Sequence, residues 1–286
     1  MSMLKIFFVS LLLGALKTES KVFVSEKDPR NVRPRDAITS SIVRGMPVRE
    51  RRMFFVRILS LDSDHFCGGT LIELQWVVTA AQCVYHSQVE NISVEVKDFS
   101  EPLLVDDSIS RFNFVAQVFF PPGLQIDENF LPRYDIALLK LSSPVRGQFE
   151  LIDLCSRKIG GWQPLGAMGL GAISGQTFEL PDTLLETVFH ETYFQSTNVF
   201  NMRFCKEYNV CTENLFHGSN MCAMDQGGPL VTYYCETFVP QCLYGVASFY
   251  LSKNGHPRDA CNGGSTFTSI PYFYEWIKNT IYSNDG

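Results

Sequence analysis

Apolar and polar positions alternate in short runs along most of this chain, and turn residues, glycine and proline above all, interrupt the runs at short intervals. A charged turn within Val43 to Leu61 leads into Met53-Phe54-Phe55-Val56-Arg57-Ile58-Leu59, the first strand of the pattern. Further strands are expected at Gly69 to Ile72, Trp76 to Val78, Ile92 to Val96, Phe112 to Phe120 and Ile136 to Leu141. A second series is expected at Ala167 to Ile173, Leu184 to Phe189, Pro229 to Tyr234, Leu243 to Phe249 and Ser265 to Ile270. Evenly spaced short strands between turn residues predict an all-β barrel or sandwich. Only the C-terminal segment has a helical period. Pro271 opens it, and Phe273, Trp276, Ile277 and Ile281 recur at three- and four-residue spacing, one face of a helix.

The N-terminus follows a different rule. Lys5 precedes an apolar run from Ile6 to Leu16, and Thr18 and Ser20 then offer small residues for cleavage just before Lys21. The run is shorter than the about 20 residues a bilayer span needs. Residues 1–20 therefore read as a signal peptide of an exported protein, with a buried N-terminal strand as the alternative. Lys21 to Ser41 is a polar, Arg-containing extension, and residues 42–286 form the folded part.

Composition narrows the function classes. The chain has 286 residues, 45% hydrophobic and 19% charged, which is a folding composition and not a disordered one. Its formal charge of -6 moves to near -7 once Lys5, Lys17 and Glu19 leave with the signal, which argues against a nucleic-acid partner. Nine cysteines in an exported chain should pair, with one left over. No Cys-x-x-Cys occurs and no histidine stands at zinc spacing from cysteines, so disulfides are favoured over a metal, and no cofactor is expected. The sequon Asn91-Ile92-Ser93 marks Asn91 as a glycosylation candidate.

Three motifs occur in order. His65-Phe66-Cys67-Gly68-Gly69-Thr70-Leu71-Ile72 is followed by Trp76-Val77-Val78-Thr79-Ala80-Ala81-Gln82-Cys83. Asp135-Ile136-Ala137-Leu138-Leu139-Lys140-Leu141 comes next, then Cys222-Ala223-Met224-Asp225-Gln226-Gly227-Gly228-Pro229-Leu230. On these motifs the chain resembles the trypsin/chymotrypsin serine proteases over about residues 42–286. The resemblance implies two packed six-stranded antiparallel β-barrels with a C-terminal helix. The first barrel would take roughly residues 42–155, the second 156–270, and the site would lie between them.

The family's chemistry needs a nucleophilic serine, a histidine that takes its proton and an aspartate that orients the histidine. By the resemblance Asp135 stands at the aspartate position, but Gln82 replaces the histidine and Gln226 the serine. A carboxamide has no usable basicity near neutral pH and is no nucleophile, so the expectation is an inactive homologue. Met224 falls where the family has the glycine whose N–H helps form the oxyanion hole, and a methionine disfavours the backbone angles glycine allows there. The activation junction reads Ser40-Ser41-Ile42-Val43-Arg44-Gly45, with no basic residue before Ile42, although Arg33 and Arg35 lie upstream. Without that cut, Asp225 lacks the new ammonium it pairs with in activated relatives and needs another partner. Asn220 stands at the pocket position that holds an aspartate in trypsin-like members. Ser248 matches a serine at the pocket border, and Phe249-Tyr250 replaces Trp-Gly, which narrows the cleft. Relocated catalysis through His65 or His86 would need a nearby nucleophile that the sequence does not show.

The resemblance also implies the disulfides Cys67–Cys83, Cys222–Cys261 and a shortened Cys205–Cys211. Cys235 and Cys242 lack a counterpart and read as a hairpin clip between two strands. Cys155 is left unpaired, either as a free buried thiol or as an intermolecular bridge. The functional expectation is a secreted, extracellular binding or regulatory protein whose partners are extracellular proteins, active serine proteases or their substrates among them. Its settings would be a protease cascade, as cofactor or decoy, or an immune or reproductive fluid. The alternative is an active secreted hydrolase with a displaced mechanism.

Overall fold

The computed structural model describes residues 42, 45–62, 66–101, 111–126, 132–147, 149–159, 163–173, 179–191, 205–213, 220–234, 239–250, 261 and 264–285. A two-residue strand, β1 (Met46–Pro47), leads into the first barrel. That barrel comprises β2 (Phe55–Ser60), β3 (Phe66–Glu73), β4 (Trp76–Thr79), β5 (Ile92–Val96), β6 (Arg111–Phe119) and β7 (Ala137–Leu141). Its strands close in the order β2-β3-β4-β7-β6-β5. Successive side chains of a strand point to opposite faces, so the alternating apolar set turns inward. Val56, Ile58, Leu71, Val77, Val94, Val96, Leu139 and Leu141 fill the barrel interior.

The second half holds β8 (Asp153–Leu154), β9 (Pro164–Gly169), β10 (Leu185–Glu191), β11 (Asn209–Glu213), β12 (Pro229–Tyr233), β13 (Pro240–Tyr250) and β14 (Ser265–Ser269). Because β9 pairs with both β10 and β12, the ring β9-β10-β11-β14-β13-β12 also closes. β1 adds to β10, and β8 lies parallel to β13. Leu165, Ala167, Phe189, Val210, Leu230, Tyr244 and Phe267 form its interior, and the fully buried Ile42 joins them.

A third apolar cluster joins the halves. Phe54, Phe55, Trp76, Val78 and Leu138 of the first barrel meet Met168, Leu170, Val231 and Val246 of the second. Helix α1 (Ile270–Asn284) seals the cluster with Ile270, Phe273, Ile277 and Ile281, and has proline in its first turn. Each such side chain contributes about 1.5–3 kcal/mol when fully buried. Trp76 Nε1 donates to Asp285 Oδ1 at 2.7 Å, tying the helix end to the first barrel.

Two elements depart from the hydrophobic pattern. β9 starts and ends earlier than the apolar run from Ala167 suggests, and β11 has no alternating signal of its own. Pairing of Asn209 to Thr212 with β14 makes that segment a strand, so tertiary context overrides local propensity there.

Four disulfides are present: Cys67–Cys83, Cys155–Cys242, Cys205–Cys211 and Cys222–Cys261. The second corrects the sequence reading twice. Cys155 is not unpaired, and Cys242 is not clipped to Cys235, which lies outside the described residues. The cause is the parallel pairing of β8 with β13, where Asp153 faces Cys242 and the Cys155 N–H bonds Leu243 O at 3.0 Å. That register brings the Cα atoms of Cys155 and Cys242 to 5.2 Å, within bridging distance.

Candidate functional site

Strand β4 ends at Thr79, and the single 3-10 turn Ala81–Cys83 that follows presents Gln82 to the junction of the barrels. Asp135 comes immediately before Ile136, which leads into β7, and its backbone carbonyl accepts a 2.8 Å bond from Thr268 Oγ1 of β14. Its side chain is 1% exposed yet fully engaged. Oδ1 accepts the backbone N–H of Gln82 at 2.9 Å, while Oδ2 accepts Gln82 Nε2 and Ser248 Oγ, each at 2.5 Å. The Gln82 amide also donates to Ser248 O at 2.7 Å. Burial pushes the Asp135 carboxyl above the ordinary carboxylate range, and the bonds from Ser248 and Gln82 partly offset that push. Both Nε2 protons of Gln82 thus have acceptors, the Asp135 carboxylate and the Ser248 carbonyl. What remains free for chemistry is an amide oxygen, an acceptor with no usable basicity near neutral pH.

The segment 222–228 lies beside this network, where the Gly227 N–H bonds Ala247 O at 2.8 Å, one residue before Ser248. The Gly68 N–H of β3 bonds Gln226 O at 2.8 Å, so the loop is docked on the first barrel. Gly227 has φ +80°, and a Cβ there would meet Gly68 O at 2.2 Å, so glycine is required by both conformation and space. Met224 has φ +71°. The methionine therefore holds the left-handed conformation despite its side chain, which costs about 1–2 kcal/mol for an L-residue other than glycine.

Asp225 is completely buried. Its Oδ1 accepts the Gly171 N–H at 2.8 Å and its Oδ2 the Cys222 N–H at 2.9 Å. A Cβ on Gly169 would lie 1.9 Å from Oδ1, so the carboxylate occupies space that only glycine leaves open. Burial raises its pKa to about 7, with the two backbone bonds pulling the other way. Among the described residues no cation pairs with it. The partner demanded by the sequence reading is a pair of backbone amides.

Beside these residues lies a small cavity of about 10 Å³ lined by Met221, Cys222, Asp225, Gln226, Ser248 and Tyr250 among others. Asn220, next to this lining, is fully buried. Its Oδ1 accepts from Ser265 Oγ, which itself accepts the Met221 N–H at 3.2 Å, and Asn220 Nδ2 has no partner among the described residues. The structure brings Gln82, Asp135 and Ser248 together in one hydrogen-bonded set, with Gln226, Met224 and Asn220 on the neighbouring segment. Ser248 was read from sequence as a pocket border only. Its bond to Asp135 joins residues 113 apart and leaves no local signal. Asn91 is elsewhere, at the end of the 3-10 turn Val89–Asn91 just before β5, where its Nδ2 donates to Asp62 Oδ1 at 2.8 Å. His86 is exposed and meets Tyr85 edge-on, and His65 lies outside the described residues. Among the described residues no group of three or more His, Cys, Asp or Glu is placed to hold a metal ion, and no helix is long and apolar enough to cross a membrane.

Comparison with known proteins places this geometry. The Trypsin family matches residues 42–277. Ovochymase of Halocynthia roretzi is 28% identical over 232 residues, 76% of this chain, which spans only 13% of that much longer protein. Prostatic glandular kallikrein-6 of Rattus norvegicus is 27% identical over 238 residues, covering 76% of this chain and 81% of the relative. The solved structure of neuropsin, a serine protease expressed in the limbic system of mouse brain, superposes with a TM-score of 0.67 at 22% identity. That superposition covers 83% of this chain and 99% of neuropsin, and it speaks to the fold.

Proposed function

Because the chain belongs to the trypsin family yet has glutamine at two of the three positions that carry the family's chemistry, we propose that it is a secreted, non-catalytic serine protease homologue. It acts by binding. One observation carries this reading: Gln82 spends both amide protons on Asp135 and Ser248. The group beside the orienting carboxylate is thereby fixed as a donor, where proton transfer needs an acceptor. Gln226 offers no nucleophile opposite it. Either loss costs orders of magnitude in rate, because the triad works as a unit.

Export is supported by the signal-like N-terminus and by four disulfides, which persist in oxidising compartments. One relative is named for the prostate gland, a secretory setting. The partners are extracellular proteins: proteases or their substrates in a cascade, where the chain serves as cofactor or decoy, or components of an immune or reproductive fluid. The side chain of Asn91 reaches solvent beside Asp62, a position open to a glycan.

The test is covalent. The purified mature protein should not label with a fluorophosphonate that modifies serine hydrolases, and affinity purification from the native secretion should recover defined protein partners. Stoichiometric labelling at any serine would replace this reading with that of a hydrolase using a displaced mechanism.

A further inference from the structure

Tyr250 ends β13, at the position where the resembled family carries glycine. A β-bulge between Ala247 and Phe249 shifts the register of this end of the strand against β14, so that Phe249 faces Thr266 and Tyr250 faces Ser265. Such bulges re-aim the side chains that follow them. The Tyr250 ring packs against Ala172, Cys222, Ala223 and Cys261, a cluster built around the Cys222–Cys261 disulfide. It lines the same cavity as Asp225, Gln226 and Ser248. Burial, together with the nearby Asp225 carboxylate, holds the tyrosine hydroxyl at a pKa of about 12. The cavity left beside the ring is about 10 Å³, room for about one water molecule and none for a side chain.

We propose that Tyr250 is the resident occupant of the primary pocket, a side chain built into the fold that keeps ligand side chains out. The ring packs on the disulfide-linked wall and lines the same cavity as the buried Asp225, so it fills space that an inserted side chain would need. A protein partner of this chain is then gripped by the rims of the cleft and the outer loops, with no anchor residue in the pocket. The inference concerns entry and not bond cleavage, so it stands or falls apart from the reading of Gln82 and Gln226.

Tyr250→Gly tests it, with p-cresol, the excised side chain, as the probe. Removing a buried ring leaves an apolar space that a matching small molecule can refill. The variant should bind p-cresol by calorimetry and melt at a higher temperature in its presence, while the wild-type chain shows neither effect. Equal binding by both proteins would mean the pocket is already open. Binding by neither, with a folded variant, would mean that no pocket lies behind the ring. Both results overturn the proposal. Nitration of the wild-type protein by tetranitromethane gives a readout that needs no folded variant. Tyr250 should react at least about tenfold more slowly than the 87% exposed Tyr282, since a raised pKa leaves little phenolate. Equal rates would also overturn it.

Discussion

Gln82 grips both oxygens of Asp135: its backbone N–H meets Oδ1 at 2.9 Å and its side-chain amide meets Oδ2 at 2.5 Å. One residue thus supplies two donors to a buried carboxylate, and Ser248 Oγ and the Ala81 backbone supply others. A buried carboxylate without donors would be costly, and breaking such a set leaves an uncompensated group behind. The glutamine does for the fold what a histidine does there in active relatives, holding the aspartate, without supplying a base.

Replacing Gln82 with leucine keeps the backbone bond and removes the two side-chain bonds. Gln82→Leu should destabilise the protein by about 1–3 kcal/mol, the cost of leaving buried acceptors unsatisfied. Urea unfolding reads this as a lower midpoint at unchanged slope. An unmoved midpoint would mean that water reaches Asp135 once the amide is gone.

Rebuilding the triad by Gln82→His with Gln226→Ser should not rebuild an enzyme. Met224 still sits at the oxyanion-hole position, where it keeps a backbone N–H but holds a left-handed conformation that costs about 1–2 kcal/mol for a residue with a side chain. Asp225 is still held by the amides of Gly171 and Cys222, with no ammonium beside it among the described residues, and Tyr250 still lines the cavity. Peptide-ester hydrolysis by the double variant should remain near background, with no phosphonate labelling. Turnover should first appear when Met224→Gly, Tyr250→Gly and Ser41→Arg are added and the chain is cut by trypsin. Robust hydrolysis by the simple double variant would show a cleft still preorganised for chemistry.

Asp225 makes stability depend on pH in an unusual direction. Its pKa is about 7 in the folded protein and about 3.9 in an unfolded chain. Between those values the folded state binds the extra proton, so stability is greatest below the lower value and is lost as pH rises through the upper one. Asp135 and Glu186, both raised chiefly by burial, act in the same direction. Unfolding free energy should fall by about 2–4 kcal/mol between pH 5 and pH 8, order of magnitude. Asp225→Asn should flatten the profile whatever it does to the absolute value. Stability that climbs over this range would show a cation paired with Asp225.

The bridge between Cys155 and Cys242 closes the longest loop of the four, a sequence separation of 87 residues. Non-reducing peptide mapping should recover those two cysteines linked, and a single thiol per chain at Cys235. Cys155→Ala with Cys242→Ala should cost about 2–5 kcal/mol in unfolding free energy. A Cys235–Cys242 peptide in the digest would restore the hairpin clip that the local sequence suggests.

The strands of the first barrel were largely legible in the sequence because each has its own alternation. In β2, Val56 and Ile58 face inward while Arg57 between them stays partly exposed. Helix α1 was legible from the spacing of Phe273, Ile277 and Ile281. β11 was not, because its only instruction is the neighbouring β14. In the site, the identity of Gln82 and Gln226 was plain, and so was the need of Asp225 for a partner. The nature of that partner was not, since backbone amides carry no residue-specific sign.

The sequence by itself determined what each position is chemically able to do. A carboxamide is no base and no nucleophile in any fold, and the order of three motifs placed those carboxamides within one family's frame. Only the tertiary structure decided which groups meet. Ser248 joins Asp135 across 113 residues, Cys155 joins Cys242 across 87, and the ring of Tyr250 packs on the Cys222–Cys261 wall beside a cavity it shares with Asp225. The reason is physical. Local pattern encodes period and burial along a single element, whereas these contacts arise from the registers of β8, β13 and β14 against one another, and register is fixed only when the barrels close around their cores.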